Sequence, residues 1–162
     1  MTELIVVAGE TGVGKTFVSE HIALHLGALV IHSDELRHEI YDEPDYDVAE
    51  SYVMYGEMFY RGRRHLESGK SVVLDATFSD TSSIDRAEHI ANMTDSDFTV
   101  VRVHCTDWQE LRARLEARPD DGAGVDVYRA VRERFDHIDR ERVDIDTSES
   151  NADTVEQIRR KL

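Results

Sequence analysis

Short apolar segments of strand length recur along the chain and alternate with stretches whose apolar residues have helical spacing. The apolar segments predict five β-strands, at residues 4–8, 28–32, 71–76, 98–105 and 143–146. Strands that alternate with helices are joined by crossover connections, which make the strands parallel and cover both faces of the sheet. The pattern therefore predicts a three-layer α/β/α fold around a five-stranded parallel sheet.

Helical spacing predicts helices at about 17–26, 48–67, 82–93, 108–118, 127–138 and 155–162, with a further helix starting near residue 33. The long helix at 48–67 carries one stripe of Tyr52, Tyr55, Phe59 and Leu66. Such a stripe is more typical of a core than of a pocket, although its place between the second and third strands also suits a segment that binds an acceptor. A length of 162 residues is that of one domain, so residues 1–162 are expected to fold together.

The first strand leads into the sequence GETGVGKT, which fits the phosphate-binding pattern G-x-x-x-x-G-K-[ST]. A strand that passes through a glycine turn into a helix directs successive backbone N–H groups at one point, where the helix dipole adds positive potential. Lys15 is then expected to reach the β- and γ-phosphates and Thr16 to ligate Mg²⁺. The alternative, a glycine turn without a ligand, is disfavoured by the flanking strand and helix. The nucleotide-binding residues are predicted to be Gly9, Glu10, Thr11, Gly12, Val13, Gly14, Lys15 and Thr16.

Ligands of parallel sheets bind beyond the carboxyl ends of the strands, so the residues that follow each strand are candidates. Asp34 and Arg37 follow the second strand and share one face of a helix start, where a capping residue with a surface ion pair is the alternative interpretation. Asp75 ends the third strand and has the character of an aspartate that holds Mg²⁺ beside a phosphate loop, unless it merely starts a turn. Arg86, on the next helix, faces either the site or the solvent.

Two helices separated by the break Pro-Asp-Asp-Gly-Ala-Gly at 119–124 predict a hinged lid over about 107–138. Arg114 and Arg118 lie one turn apart on the first of these helices. Guanidinium forks suit phosphate oxygens, so these residues are candidates to close over a transferring phosphoryl group. The alternative is that both are ordinary helix formers that offset nearby acidic residues.

The chain is strongly acidic, with 34 Asp and Glu against 19 Lys and Arg, which gives a net charge of −15. This excess predicts a halophilic type of surface, and it also disfavours a nucleic-acid partner without excluding one. The single cysteine, Cys105, excludes an intramolecular disulfide and suits the cytoplasm. No apolar run approaches the roughly 20 residues of a membrane span. We therefore expect a cytoplasmic protein with no membrane partner.

Four of these features, in this order, resemble the small P-loop kinases of the nucleoside/nucleotide-kinase-like superfamily. The likeness is greatest to the branch of polynucleotide 5′-hydroxyl kinases and zeta-toxin-type ATP-binding kinases. The features are the phosphate loop, the D-x-x-R of Asp34 and Arg37, the strand-end Asp75, and the R-x-x-x-R of Arg114 and Arg118. The resemblance implies that Asp34 is the general base and that Arg37 positions the acceptor. It also implies that Arg118, with Arg114, clamps the donor phosphates.

The resemblance implies a kinase that uses ATP and Mg²⁺ to phosphorylate a hydroxyl of a small molecule or nucleotide. Its catalytic residues would be Lys15, Asp34 and Arg118, and its acceptor site would include Asp34, Arg37, Asp75 and Arg86. One alternative is a polynucleotide 5′-hydroxyl kinase, which needs a basic track leading to Asp34. Another is an ATPase or nucleotide-binding switch that acts through a partner. The sequence carries no signal of oligomeric state.

Overall fold

The computed structural model describes residues 1–118 and 124–162. Its strands form one five-stranded sheet in the order β2-β3-β1-β4-β5, and every neighbouring pair is parallel. The strands are β1 (Glu3–Ala8), β2 (Leu29–His32), β3 (Val72–Asp75), β4 (Asp97–His104) and β5 (Val143–Asp146). The predicted five-stranded parallel sheet is confirmed.

Seven helices within the described residues connect the strands and cover both faces of the sheet. They are α1 (Lys15–Leu26), α2 (Ser33–Ile40), α3 (Val48–Glu67), α4 (Thr81–Met93), α5 (Trp108–Glu116), α6 (Val125–Glu133) and α7 (Asn151–Lys161). This confirms the three-layer α/β/α architecture. None of these helices has both the length and the apolar character that crossing a bilayer requires.

The central strand β1 is fully buried on both sides. Leu4 and Val6 belong to the core layer of α3 and α4, whereas Ile5 and Val7 belong to the layer of α1 and α7. A strand buried on both faces has no reason to alternate polar with apolar residues, which explains the unbroken apolar run that leads into the phosphate loop.

The second helix of the predicted lid is shorter than expected. Helix α6 ends at Glu133 instead of continuing to about 138, and no helix or strand follows until β5. The N–H of Asp136 donates to Ser79 O at 2.7 Å, and its carboxylate accepts from Thr81 N at 3.1 Å. Because these bonds draw the chain onto the start of α4, they replace the bonds that would have continued the helix. The predicted break at 119–124 lies outside the described residues except for Gly124, the N-cap of α6.

Candidate nucleotide and acceptor site

A cleft of about 470 Å³ opens beyond the carboxyl ends of β1, β2 and β3. Its walls come from the phosphate loop, the first turns of α1 and α2, the end of β3, and α5 with the residues just after it. Parallel sheets bind their ligands in this position. The predicted site residues that line the cleft are Thr11, Gly12, Gly14, Lys15, Thr16, Asp34, Asp75, Arg114 and Arg118.

The phosphate loop has the backbone shape that anion binding requires. Gly12 and Gly14 have φ values of 88° and 99°, in the left-handed region that favours glycine. A Cβ on Gly12 would lie 2.6 Å from Leu115 Cδ2, so only glycine fits under the lid helix. Gly14 caps α1 without a side-chain hydrogen bond, and the first turn of α1 carries no acidic residue. The N–H groups of that turn are thus left for an anion, as a phosphate requires.

Lys15 lies between the loop and the two strand-end carboxylates. Its Nζ donates to Glu10 O at 3.1 Å. Burial lowers the pKa of Lys15, while the negative charges of Asp75, Asp34 and Glu10 oppose that shift. The carboxylates of Asp34 and Asp75 line the same cleft as the lysine. The kinase interpretation requires this arrangement.

Asp34 stands at the start of α2 with its side chain exposed to the cleft. The N-cap of α2 is His32, and it makes no side-chain capping bond, so neither Ser33 nor Asp34 serves as the cap. The backbone oxygen of Asp34 accepts from His38 Nδ1 at 3.0 Å, but its carboxylate has no hydrogen bond or ion pair within the described part of the chain. A carboxylate that faces a cleft without a partner is available to accept a proton from a bound molecule.

Asp75 is buried at the end of β3 and pairs with His32, the last residue of β2. The two residues lie side by side in the sheet, and Asp75 Oδ2 is 2.7 Å from His32 Nδ1. The hydrogen bond with Asp75 raises the pKa of His32, although burial opposes the rise. His32 Nε2 also lies 3.6 Å from Glu20 Oε1. Sequence reasoning missed His32, because its closeness to Asp75 follows from the strand order and register, not from a motif.

Arg114 reaches the cleft while holding the lid helix α5 to the loop after β5. Its Nη1 donates to Thr147 Oγ1 at 2.9 Å and its Nη2 to Thr147 O at 2.6 Å. Arg118 also lines the cleft and is exposed, and its positive charge contributes to the lowered pKa of Lys15. Both arginines thus lie on the lid side of the cleft, where the phosphate clamp was predicted.

Three predicted loop residues, Gly9, Glu10 and Val13, do not line the cleft. The Glu10 side chain is buried beneath the loop, with Oε1 2.6 Å from Arg102 Nη1 and Oε2 2.9 Å from Arg132 Nη1. Val13 is packed in the core, and the N–H of Gly9 donates to a backbone oxygen beyond β3. Glu10 therefore has only its backbone left to contact a phosphate, and its place among the nucleotide-binding residues stays a prediction.

The two arginines predicted on the acceptor side are not in the cleft either. Arg37 is 7% exposed and donates to Glu50 Oε1 at 2.7 Å and to Ser51 Oγ at 3.3 Å. Arg86 lies over the rings of Phe59 and Tyr52, at 4.8 and 5.9 Å. Arg37 is therefore a buried structural partner of α3 in this structure, and Arg86 is an aromatic-stacked residue. Neither one faces an acceptor.

Comparison with known families adds an independent observation. The AAA domain family matches residues 4–156, which is nearly the whole chain. The chain belongs to the AAA domain family. Uncharacterised proteins of Mycobacterium tuberculosis and Mycobacterium bovis are 31% identical to it over 128 residues, or 71% of this chain and 25% of theirs. The chain thus spans about a quarter of the length of these relatives.

Solved structures similar to this AAA-domain chain are P-loop proteins. A gluconokinase from Sinorhizobium meliloti has a TM-score of 0.72 at 22% identity, with 96% of this chain and 89% of that one covered. The Mycobacterium tuberculosis APS kinase in complex with AMPPNP and APS has a TM-score of 0.67 at 16% identity, covering 98% and 96%. Kti12 from Chaetomium thermophilum, in complex with ADP-AlF3, has a TM-score of 0.72 at 18% identity, covering 97% and 96%. The resemblance to the P-loop kinase superfamily is confirmed for the fold.

The AAA-domain cleft also has the groups that a nucleotide-bound Mg²⁺ ion needs. Thr16 is exposed at the first turn of α1, and Asp75 lines the same cleft. Within residues 1–118 and 124–162, no group of three His, Cys, Asp or Glu side chains could hold a metal unaided. Mg²⁺ at phosphate sites uses one or two protein ligands with phosphate oxygens and water, so a hydroxyl and one carboxylate fit it.

Proposed function

We propose that this chain is a kinase that transfers the γ-phosphoryl group of ATP to a hydroxyl of a small molecule, with Mg²⁺ as cofactor. The observation that carries the proposal is the Asp34 carboxylate, which faces the same cleft as Lys15 and makes no hydrogen bond or ion pair in the described part of the chain. The phosphate loop alone supports only nucleotide binding. A free carboxylate opposite it supplies the proton acceptor that transfer to a hydroxyl needs.

The part of the cleft between the phosphate loop and α5 has the groups that would bind a triphosphate. The first-turn N–H groups of α1 would hold the phosphates, Lys15 would contact the β- and γ-phosphates, and Arg114 with Arg118 would neutralise charge from the lid side. Mg²⁺ would be held by Thr16 and Asp75, and when bound it neutralises phosphate charge. Phosphoryl transfer asks a protein mainly for such positioning and charge stabilisation. The nucleotide complexes among the similar structures, with AMPPNP and with ADP-AlF3, support this assignment.

The nucleophile is the hydroxyl of the acceptor molecule, which would bind in the cleft beside Asp34. The acceptor oxygen attacks the γ-phosphorus, the bond between that phosphorus and the β–γ bridging oxygen breaks, and ADP leaves. The hydroxyl proton passes to the Asp34 carboxylate, which must therefore be ionised before the reaction. A polynucleotide 5′-hydroxyl kinase is less well supported, because it needs a basic track leading to Asp34. The two arginines predicted on the acceptor side contact other residues instead: Arg37 contacts Glu50, and Arg86 lies over Phe59.

The test measures nucleotide binding and phosphoryl transfer separately. In Asp34→Asn, the Mg-ATP-dependent rise in melting temperature should persist, while transfer falls by about 10²–10⁴ as expected for a lost general base. In Lys15→Ala, the melting shift itself should disappear. Asp42→Asn removes an exposed acid of the linker after α2 and serves as the matched control. The proposal fails if Asp34→Asn loses binding and turnover in equal measure, or if no acceptor raises ADP formation above the rate with water.

A further inference from the structure

The charged side chains that line the cleft fall into two groups according to the elements that carry them. The cations come from the phosphate loop and the lid side and are Lys15, Arg114 and Arg118. The carboxylates come from α1, α2 and β3 and are Glu20, Asp34 and Asp75. We call this second group, together with His32, the acidic end. His32 Nδ1 lies 2.7 Å from Asp75 and its Nε2 lies 3.6 Å from Glu20, so both ring nitrogens already face carboxylates of the chain.

Apart from Lys15, Arg114 and Arg118, no described arginine or lysine lines the cleft. Arg37 is bound to Glu50, and Arg86 lies over aromatic rings. The undescribed residues 119–123 contain two aspartates but no lysine or arginine. Sites that bind phosphate or carboxylate groups present guanidinium forks or ammonium groups to them. The titratable side chains at this end are three acids and a paired histidine, beside the hydroxyls of Ser33 and Thr77.

An anionic acceptor would therefore approach carboxylates on one side and the phosphates of ATP on the other. Two like charges 4 Å apart in water repel by about 1 kcal/mol, which corresponds to roughly a fivefold loss of affinity for each close pair. We propose that the acceptor is an uncharged or cationic polyhydroxy compound, such as a sugar, cyclitol or amino sugar, with no phosphate, sulfate or carboxylate near the reacting hydroxyl. This proposal rests on the function proposed above.

The test compares acceptors that differ in charge but share a carbon skeleton. Glucose, glucosamine, gluconate and glucose 6-phosphate form one set, and cyclitols and nucleosides with their monophosphates form two more. ADP formation above the rate with water is measured for each at 0.1 M and 1 M KCl. We expect turnover with neutral or aminated members and at least fivefold lower kcat/KM with their anionic counterparts. This discrimination should shrink at 1 M KCl, where charges are screened within about 3 Å.

Preference for an anionic member of a set would overturn the inference and leave the kinase function standing. If Arg134→Ala abolished that preference, the exposed arginine that follows α6 would be identified as the anion's partner. Failure of every set, neutral and charged, would instead remove the kinase function and the inference with it.

Glu20 provides a variant that tests the acidic end directly. Its side chain is 56% exposed and its one ion-pair contact is the 3.6 Å approach to His32, so Glu20→Gln should fold normally. We expect this change to reduce the discrimination against anionic acceptors by roughly fivefold. Glu156→Gln, on the exposed side of α7, removes the same charge away from the cleft and should leave the discrimination as it is. Equal discrimination in the wild type and Glu20→Gln would overturn the assignment of this end to the acceptor.

Discussion

Replacing Glu10 by glutamine should destabilise the protein far more than a change on its exposed partner. The Glu10 side chain is 2% exposed and bridges two guanidinium groups, those of Arg102 and Arg132. Arg102 is 9% exposed and lies 4.1 Å from the ring of Phe135, so its guanidinium would stay largely buried when its partner is lost. Breaking a buried ion pair by removing one partner costs about 3–5 kcal/mol, because the remaining charge stays buried.

Arg132 offers the matched comparison, because its side chain is 62% exposed. Arg132→Gln should cost no more than about 1 kcal/mol, since Glu10 keeps Arg102 and the exposed guanidinium is well solvated. For a chain of this size, 1 kcal/mol corresponds to about 2–4 °C in Tm. Glu10→Gln should therefore lower Tm by about 6–20 °C, and Arg132→Gln by at most about 4 °C. Thermal unfolding followed by circular dichroism without nucleotide measures both values.

A double variant separates the buried charge from the loss of contacts. Glu10→Gln combined with Arg102→Met removes the unpaired cation and should recover part of the stability lost in Glu10→Gln. A loss below about 1 kcal/mol in Glu10→Gln, or a loss equal to that of Arg132→Gln, would refute the reasoning, because the pair would then behave as a surface contact.

The same pair has a pH signature. Burial alone would raise the pKa of Glu10, but the hydrogen bonds and charges of Arg102 and Arg132 outweigh it and hold the pKa below its usual 4.5. A carboxyl group with a depressed pKa in the folded state contributes stability above the unfolded value, and this contribution is lost as pH falls through the folded value. The Tm difference between the wild type and Glu10→Gln should hence shrink below about pH 4.5.

Three further expectations concern the surroundings of the cleft. Tyr55→Phe should cost about 1–3 kcal/mol in urea unfolding, because the Tyr55 hydroxyl accepts the N–H of Phe78 at 3.0 Å, whereas the exposed Tyr52→Phe should stay within about 0.5 kcal/mol. Gly12→Ala should weaken Mg-ATP binding at least tenfold in calorimetric titration, because its φ of 88° and a 2.6 Å approach to α5 exclude a Cβ. Asp75 raises the pKa of His32 above 6.5, so the stability lost in His32→Ala should be larger at pH 6 than at pH 9; an equal loss would contradict this sign.

The fold was predictable because its signals are local. The helix at 48–67 has the predicted bounds, and its start carries the Asp47 cap that accepts from Glu50 N. The end of α6 was not predictable, because it depends on bonds from Asp136 to residues more than fifty positions away. No glycine or proline marks that helix end in the sequence. A tertiary contact, not a local signal, ends the helix.

In the candidate site, too, the sequence predicts the local features but not the contacts between distant residues. The phosphate loop is contiguous, and its glycines dictate the backbone shape, so the sequence alone predicts the anion-binding turn. The position of the Arg37 side chain, by contrast, depends on its hydrogen bond to Glu50, which the packing of α3 against α2 brings within reach. The partner of Glu10 on α6 is 122 residues away. Pairings of this kind depend on how helices pack, and a single sequence contains no periodic signal for them.

The contacts of the loop also explain how the lid helices are positioned over the cleft. Gly12 packs beneath Leu115 of α5, and Glu10 pairs with Arg132 of α6. Thr147, after β5, donates its hydroxyl to the backbone oxygen of Val13 and accepts from Arg114. The bases of both lid helices therefore rest on the loop that would hold the phosphates.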